Sequence, residues 1–247
     1  MEREQILTQA VGRLQSEGSR REFMRLAGLL GGALALAACG DDDNPTQPNN
    51  PNLTLNFGQP VDVLKYAFAL EALEADFYTK VVANSAFATA FSSAAERTIL
   101  TDIRDHEVAH REFFKAAITA AGGTAPSLST KYPSSVDFAS RTSVLATAKT
   151  FEDLGVSAYN GAGRYLVSTA ALPYLTIAGK VVSVEARHAS AIRDLISPNT
   201  DAFANVTDLQ AMLGASEANG LDAKASPTTV LGMAQAFINE TITATGV

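Results

Sequence analysis

Apolar residues recur at three- and four-residue intervals over long stretches of this chain, Ile99, Ile103, Phe113 and Ala117 among them. That is the period of a helix with one buried face. Four segments carry the pattern, at about Pro60–Ala83, Ala94–Ala121, Thr142–Ala170 and Pro173–Ile196. Helices of that size are roughly 36–43 Å long at 1.5 Å per residue. Pro60 with Asp62 gives a start signal, Gly122 and Gly123 stop the second segment, and Pro198 follows the fourth. A shorter stretch, SPTTVLGMAQAFI, predicts a helix starting near Ser226 with Pro227 in its first turn. No run alternates convincingly enough to predict a strand, so the expectation is an all-α fold.

The linkers are unequal. A short loop joins the first and second segments, and a shorter one still joins the third and fourth. Between the second and third lies a much longer stretch, GGTAPSLSTKYPSSVDFASR, from Gly122 to Arg141. Fully extended, it reaches about 66 Å, more than the length of a helix. It can run the whole length of a bundle and join two helical hairpins, although a compact loop of the same length is the alternative.

The N-terminal stretch, 1–38, reads differently. SRREFMR, Ser19 to Arg25, resembles a twin-arginine export signal. The apolar run Leu26–Ala38 is too short to span a bilayer but suits the core of a signal peptide. It ends in LAAC, which resembles a lipobox with Cys39 as the acylated residue. A lipid on Cys39 would hold the protein on a membrane outside the cytoplasm. Residues 39–59 are rich in Asp, Asn and Pro and read as a flexible tether. The expected organisation is signal peptide 1–38, tether 39–59, bundle 60–196, and an extension 197–247 with one short helix.

Charge narrows the partners. The whole chain carries a net charge of -7 with a pI near 5.0, which argues against nucleic acid. Without residues 1–38 it has 19 − 5 = 14 basic and 26 − 4 = 22 acidic side chains, a net of -8. The single cysteine excludes an intramolecular disulfide. A homo-oligomer is compatible with all of this.

Two of the three histidines follow a glutamate by three residues, His110 after Glu107 and His188 after Glu185. Chance gives such a pairing in about one sequence in a hundred, so context must support it. The other two helices supply that context. LEALEADFY places Glu71 seven residues before Tyr78, and FEDLGVSAY places Glu152 seven before Tyr159, as though the two halves were weak repeats. The four glutamates lie at similar depths in their helices and would meet at one level. One Glu from each of two helices and Glu-x-x-His from each of the others is the donor set of di-iron and di-manganese carboxylate bundles. Four carboxylates would balance two divalent cations, and oxygen and nitrogen donors suit iron or manganese.

LEALEADFY, DHEVAHREFF, FEDLGVSAYNGA and VEARHAS, with NGLDAKASPTTVL in the tail, carry a resemblance to a known family. Residues 60–196 resemble the ferritin-like domain of bacterial exported proteins related to plant desiccation-associated proteins. The resemblance implies a ferritin-like four-helix bundle with a long crossover between its second and third helices. It implies two iron or manganese ions held by Glu71, Glu107, His110, Glu152, Glu185 and His188, with Glu107 and Glu185 bridging. An oxidase, ferroxidase or peroxide-handling activity would follow. A non-enzymatic stress-protective or interaction module, with the site structural or empty, stands beside it as the alternative.

Four further residues have competing readings. Glu74 competes with Glu71, but its counterpart in the second half is Gly155, so it is expected in an outer shell or at the surface. Tyr78 and Tyr159 are expected as core aromatics with satisfied hydroxyls, or as partners of the metals. His106 lacks a glutamate at the required interval and is expected in solvent.

Overall fold

A computed structural model describes residues 52–209, 214–215 and 219–247. The export motif, the lipobox and Cys39 lie outside the described residues, as does most of the tether. Within them the chain forms β1 (Asn52–Asn56), α1 (Pro60–Ala83), a one-turn α2 (Phe87–Ala90), α3 (Ala94–Ala120), α4 (Arg141–Ala162), α5 (Leu172–Ile196), α6 (Pro227–Ala234) and β2 (Thr241–Thr245).

Local chemistry sets most of these boundaries. Pro60 sits in the first turn of α1, with Asp62 near the positive end of the helix dipole. The Ser93 and Ser140 hydroxyls cap α3 and α4 by accepting from the Glu96 and Ser143 amides. Ser226 caps α6 in the same way, with Pro227 in its first turn. Past the end of α3, Gly122 adopts φ +79°, the left-handed conformation that closes a helix.

Contacts between helix ends fix the topology. Gly123, just past α3, lies against Val61 at the start of α1, so these two helices run antiparallel. Gly163, just past α4, faces Leu175 at the start of α5, and Arg141 at the start of α4 donates to the Leu195 carbonyl at the end of α5 (2.7 Å). These helices therefore form a second antiparallel hairpin. Arg141 also pairs with Glu96 at the start of α3 (2.7 Å). The N-termini of α3 and α4 thus lie together, and those helices are parallel. A parallel pair requires a connection that returns along their full length. Residues 121–140 make that return, held by hydrogen bonds from the Thr130 and Tyr132 hydroxyls to Asp76 of α1 (2.6 and 2.8 Å).

Two features depart from the sequence expectation. The helix expected to reach Ala170 stops at Ala162, with one 3-10 turn at Gly163–Tyr165. The C-terminal segment crosses α4 there, with the Ala225 amide donating to the Ser157 carbonyl (2.9 Å) and Asn160 donating to the Ala223 carbonyl (2.8 Å). A side chain at Gly161 would place Cβ 1.7 Å from the Ala225 carbonyl oxygen. The other departure is a small sheet. Asn52–Asn56 is strand rather than tether, and it pairs in parallel with Thr241–Thr245 from the far end of the chain. Leu55 and Ile242 are buried beneath it.

Phe77 and Phe151 pack edge to face (5.1 Å between ring centres) in the middle of the core, and Phe237 from the extension closes on Phe151 (4.7 Å). Behind them Arg193 of α5, 6 % exposed, donates twice to Asp153 of α4 (2.7 and 3.1 Å). It also bonds the Asn205 carbonyl, which ties the second hairpin to the extension.

The glycines give a test of this packing. Gly161→Ala must push the C-terminal segment off α4 and is expected to destabilise the protein by about 2 kcal/mol. Gly179→Ala, in α5 with nothing within 4 Å of the added carbon, is expected to stabilise by ~0.5–1 kcal/mol. Denaturant midpoints of the two variants check both signs.

Candidate metal centre

Glu71, Glu107, Glu152 and Glu185 come from four different helices, and each is fully buried. His110 and His188 join them at 5 and 4 % exposure. Three residues advance a helix by about 300°, so Glu107 with His110, and Glu185 with His188, project from nearly one face. The antiparallel hairpins turn those faces inward at one level.

Six residues make two overlapping groups. Ligand atoms of Glu71, Glu107, His110 and Glu185 all lie within 4.8 Å of one another, and so do those of Glu107, Glu152, Glu185 and His188. Glu107 and Glu185 belong to both groups. His110 Nδ1 sits 3.2 Å from Glu71, 3.3 Å from Glu107 and 3.1 Å from Glu185. His188 Nδ1 sits 2.7 Å from Glu107 and 3.4 Å from Glu152.

The tyrosines bind across the bundle. Tyr78 of α1 donates to Glu152 of α4 (2.5 Å), and Tyr159 of α4 donates to Glu71 of α1. Each tyrosine is seven residues beyond its own helix's glutamate, about 10.5 Å along the axis. Because α1 and α4 run in opposite directions, the equal spacing on each helix lets the two bonds form reciprocally. The reciprocal pair gives the site an approximate twofold arrangement, and both hydroxyls are satisfied.

Glu74 is not at the surface. It is 3 % exposed and its carboxylate lies beside Glu185. A Cβ on Gly155 would meet Glu74 Oε1 at 3.1 Å and Glu185 Oε2 at 3.2 Å. The glycine that stands opposite Glu74 in the repeat therefore supplies the space Glu74 fills. His106 is likewise not a solvent residue. It is half-buried, and its Nδ1 lies 2.9 Å from His188 Nε2. His106 precedes His110 by four residues on α3, and that i, i+4 spacing is the sequence signal that it shares the inward side.

Electrostatics make the cluster costly when its only counter-charges are protons. Burial pushes Glu71 up to about 7, despite the opposing pull of His110. Burial, then mutual repulsion, holds Glu74 and Glu185 well above the carboxylate range. Glu107 goes the other way. Burial would raise it, but His110 and His188 both face it and hold it far below. Burial opposes charge on the two histidines, yet the surrounding carboxylates lift both well above the usual imidazole range.

The donors fit divalent cations. Glu71 Oε2, Glu107 Oε1, Glu152 Oε2, both Glu185 oxygens and His188 Nδ1 are buried without a hydrogen-bond partner, although they crowd together. Several nitrogen and oxygen donors within 4.8 Å of one another, many of them without a hydrogen bond, are the arrangement a cation requires, and unpaired buried polar atoms are otherwise costly. Oxygen-rich donors with two imidazoles and no thiolate suit iron or manganese.

Fold and donor set together define a carboxylate-rich four-helix bundle with a long crossover. Residues 59–198 match the model of the ferritin-like domain family, and the chain belongs to that family. No curated protein matches the sequence.

Gly155→Ala separates site from scaffold. The added methyl displaces the Glu74 and Glu185 carboxylates by a few tenths of an ångström while improving helix propensity by up to ~1 kcal/mol. The metal-free protein is expected to be at least as stable as wild type, with manganese(II) affinity lowered about tenfold. Thermal denaturation and a metal titration read the two effects separately.

Proposed function

We propose that the bundle holds two divalent cations, iron or manganese, with Glu71 and His110 on one and Glu152 and His188 on the other. Glu107 and Glu185, which belong to both groups, would be shared between the two. The supporting observation is that these two glutamates alone belong to both ligand groups. When bound, such a pair supplies Lewis acidity and redox chemistry toward dioxygen or peroxide.

The reading continues as a metal-dependent oxidase, ferroxidase or peroxide-handling protein. The chain's own residues have definite tasks in it. Glu107 and Glu185 would contribute donors to both cation positions. Tyr78 and Tyr159 orient the terminal carboxylates Glu152 and Glu71 by donating to them. The apolar surroundings exclude bulk water and strengthen every charge interaction inside. In this proposal the protein leaves the cytoplasm by the twin-arginine route and is anchored through lipidated Cys39, as the SRREFMR and LAAC motifs imply. The kinship with desiccation-associated proteins belongs to the same proposal.

Near-complete burial of all six donors favours one alternative, a stress-protective module in which the cations join the four helices and metal affinity is folding energy. The discriminating measurement is ferrous oxidation or peroxide decomposition by metal-loaded protein. Turnover above the metal-free protein is expected, and none would leave the structural role. Glu107→Ala with Glu185→Ala is expected to abolish binding of both ions by elemental analysis. A double variant that keeps two ions would show that other residues hold them.

A further inference from the structure

The two halves of the site differ at the residue before each Glu-x-x-His. His106 precedes Glu107, whereas Val184 precedes Glu185. His106 has a partner on another helix. It reaches across from α3 to α5, where its Nδ1 meets His188 Nε2 at 2.9 Å with the two rings 18° from parallel. The other nitrogen of His188 faces Glu107 and Glu152.

An imidazole binds a cation only through a nitrogen that carries no proton, and the proton of the neutral ring must then sit on the other nitrogen. We propose that His106 is a positioning residue for one of the two cation positions, the one formed by Glu107, Glu152, Glu185 and His188. His188 Nε2–H donates to His106 Nδ1, which fixes the proton there and leaves the Nδ1 lone pair directed at the carboxylates. The bond spans two helices, so it also fixes the rotation of the His188 ring. This inference rests on the metal reading above.

The choice of partner has a physical reason. A metal-binding histidine commonly donates to a carboxylate. Five buried glutamates already crowd this site, and a sixth anion would add to their repulsion. A neutral imidazole accepts the same hydrogen bond without adding charge. The position built around His110 has Val184 where the repeat places His106, so the two cation positions are inequivalent.

The test compares His106→Leu and His106→Gln in the otherwise intact protein, with thermal denaturation to confirm folding. Manganese(II) titration should show that His106→Leu weakens one ion about 10- to 100-fold while the other changes little. His106→Gln, whose side-chain oxygen can accept the same bond, should recover most of the loss. Equal weakening of both ions, no weakening, or no recovery with Gln would overturn the proposal. Should wild type bind no manganese, the metal reading itself fails and this inference with it; two bound ions with any of those patterns among the variants overturn this inference alone.

Discussion

Five carboxylates and two imidazoles cluster in the interior of a largely apolar bundle, and burial penalises every charge among them. Without a cation the cluster reconciles itself with protons alone, raising Glu71, Glu74 and Glu185 and lifting both histidines. That arrangement leaves several of the crowded donor atoms without a hydrogen bond. The positions of the helices, the crossed tyrosines and the glycine opposite Glu74 all serve to hold this concentration of negative charge in one place.

The long crossover is what makes the geometry possible. Because α3 and α4 start at the same end, α1 and α4 run in opposite directions, and equal seven-residue spacings on each become reciprocal hydrogen bonds. A short loop between α3 and α4 would have reversed α4 and separated each tyrosine from the opposite glutamate. Topology and donor set are therefore one design.

Much of this is readable in the residue pattern. The ends of α1 follow from Pro60 and the loss of periodicity after Ala83, and the six donors stand out because glutamate and histidine recur at fixed spacing in His-poor sequence. The features that the pattern does not carry depend on distant contacts. The end of α4 lies where Ala225, far along the chain, passes close over Gly161. β1 is a single short strand whose partner comes from the opposite end of the chain, so no local alternation could reveal it. In sequence Gly155 reads as the absence of a ligand, whereas its role is to make room for Glu74. Spacing to a glutamate says nothing about His106, because its partner lies on another helix.

The small parallel sheet has a mechanical consequence. β1 enters the bundle through Phe57 and α1, while β2 belongs to the opposite end of the chain, and the two strands point the same way. A force applied at Asn52 along the strand would load all the inter-strand bonds in shear, together, instead of peeling them apart one at a time. The pull would thus be spread into the C-terminal segment and the packing around Phe57 before it reached the helices that carry the acidic cluster.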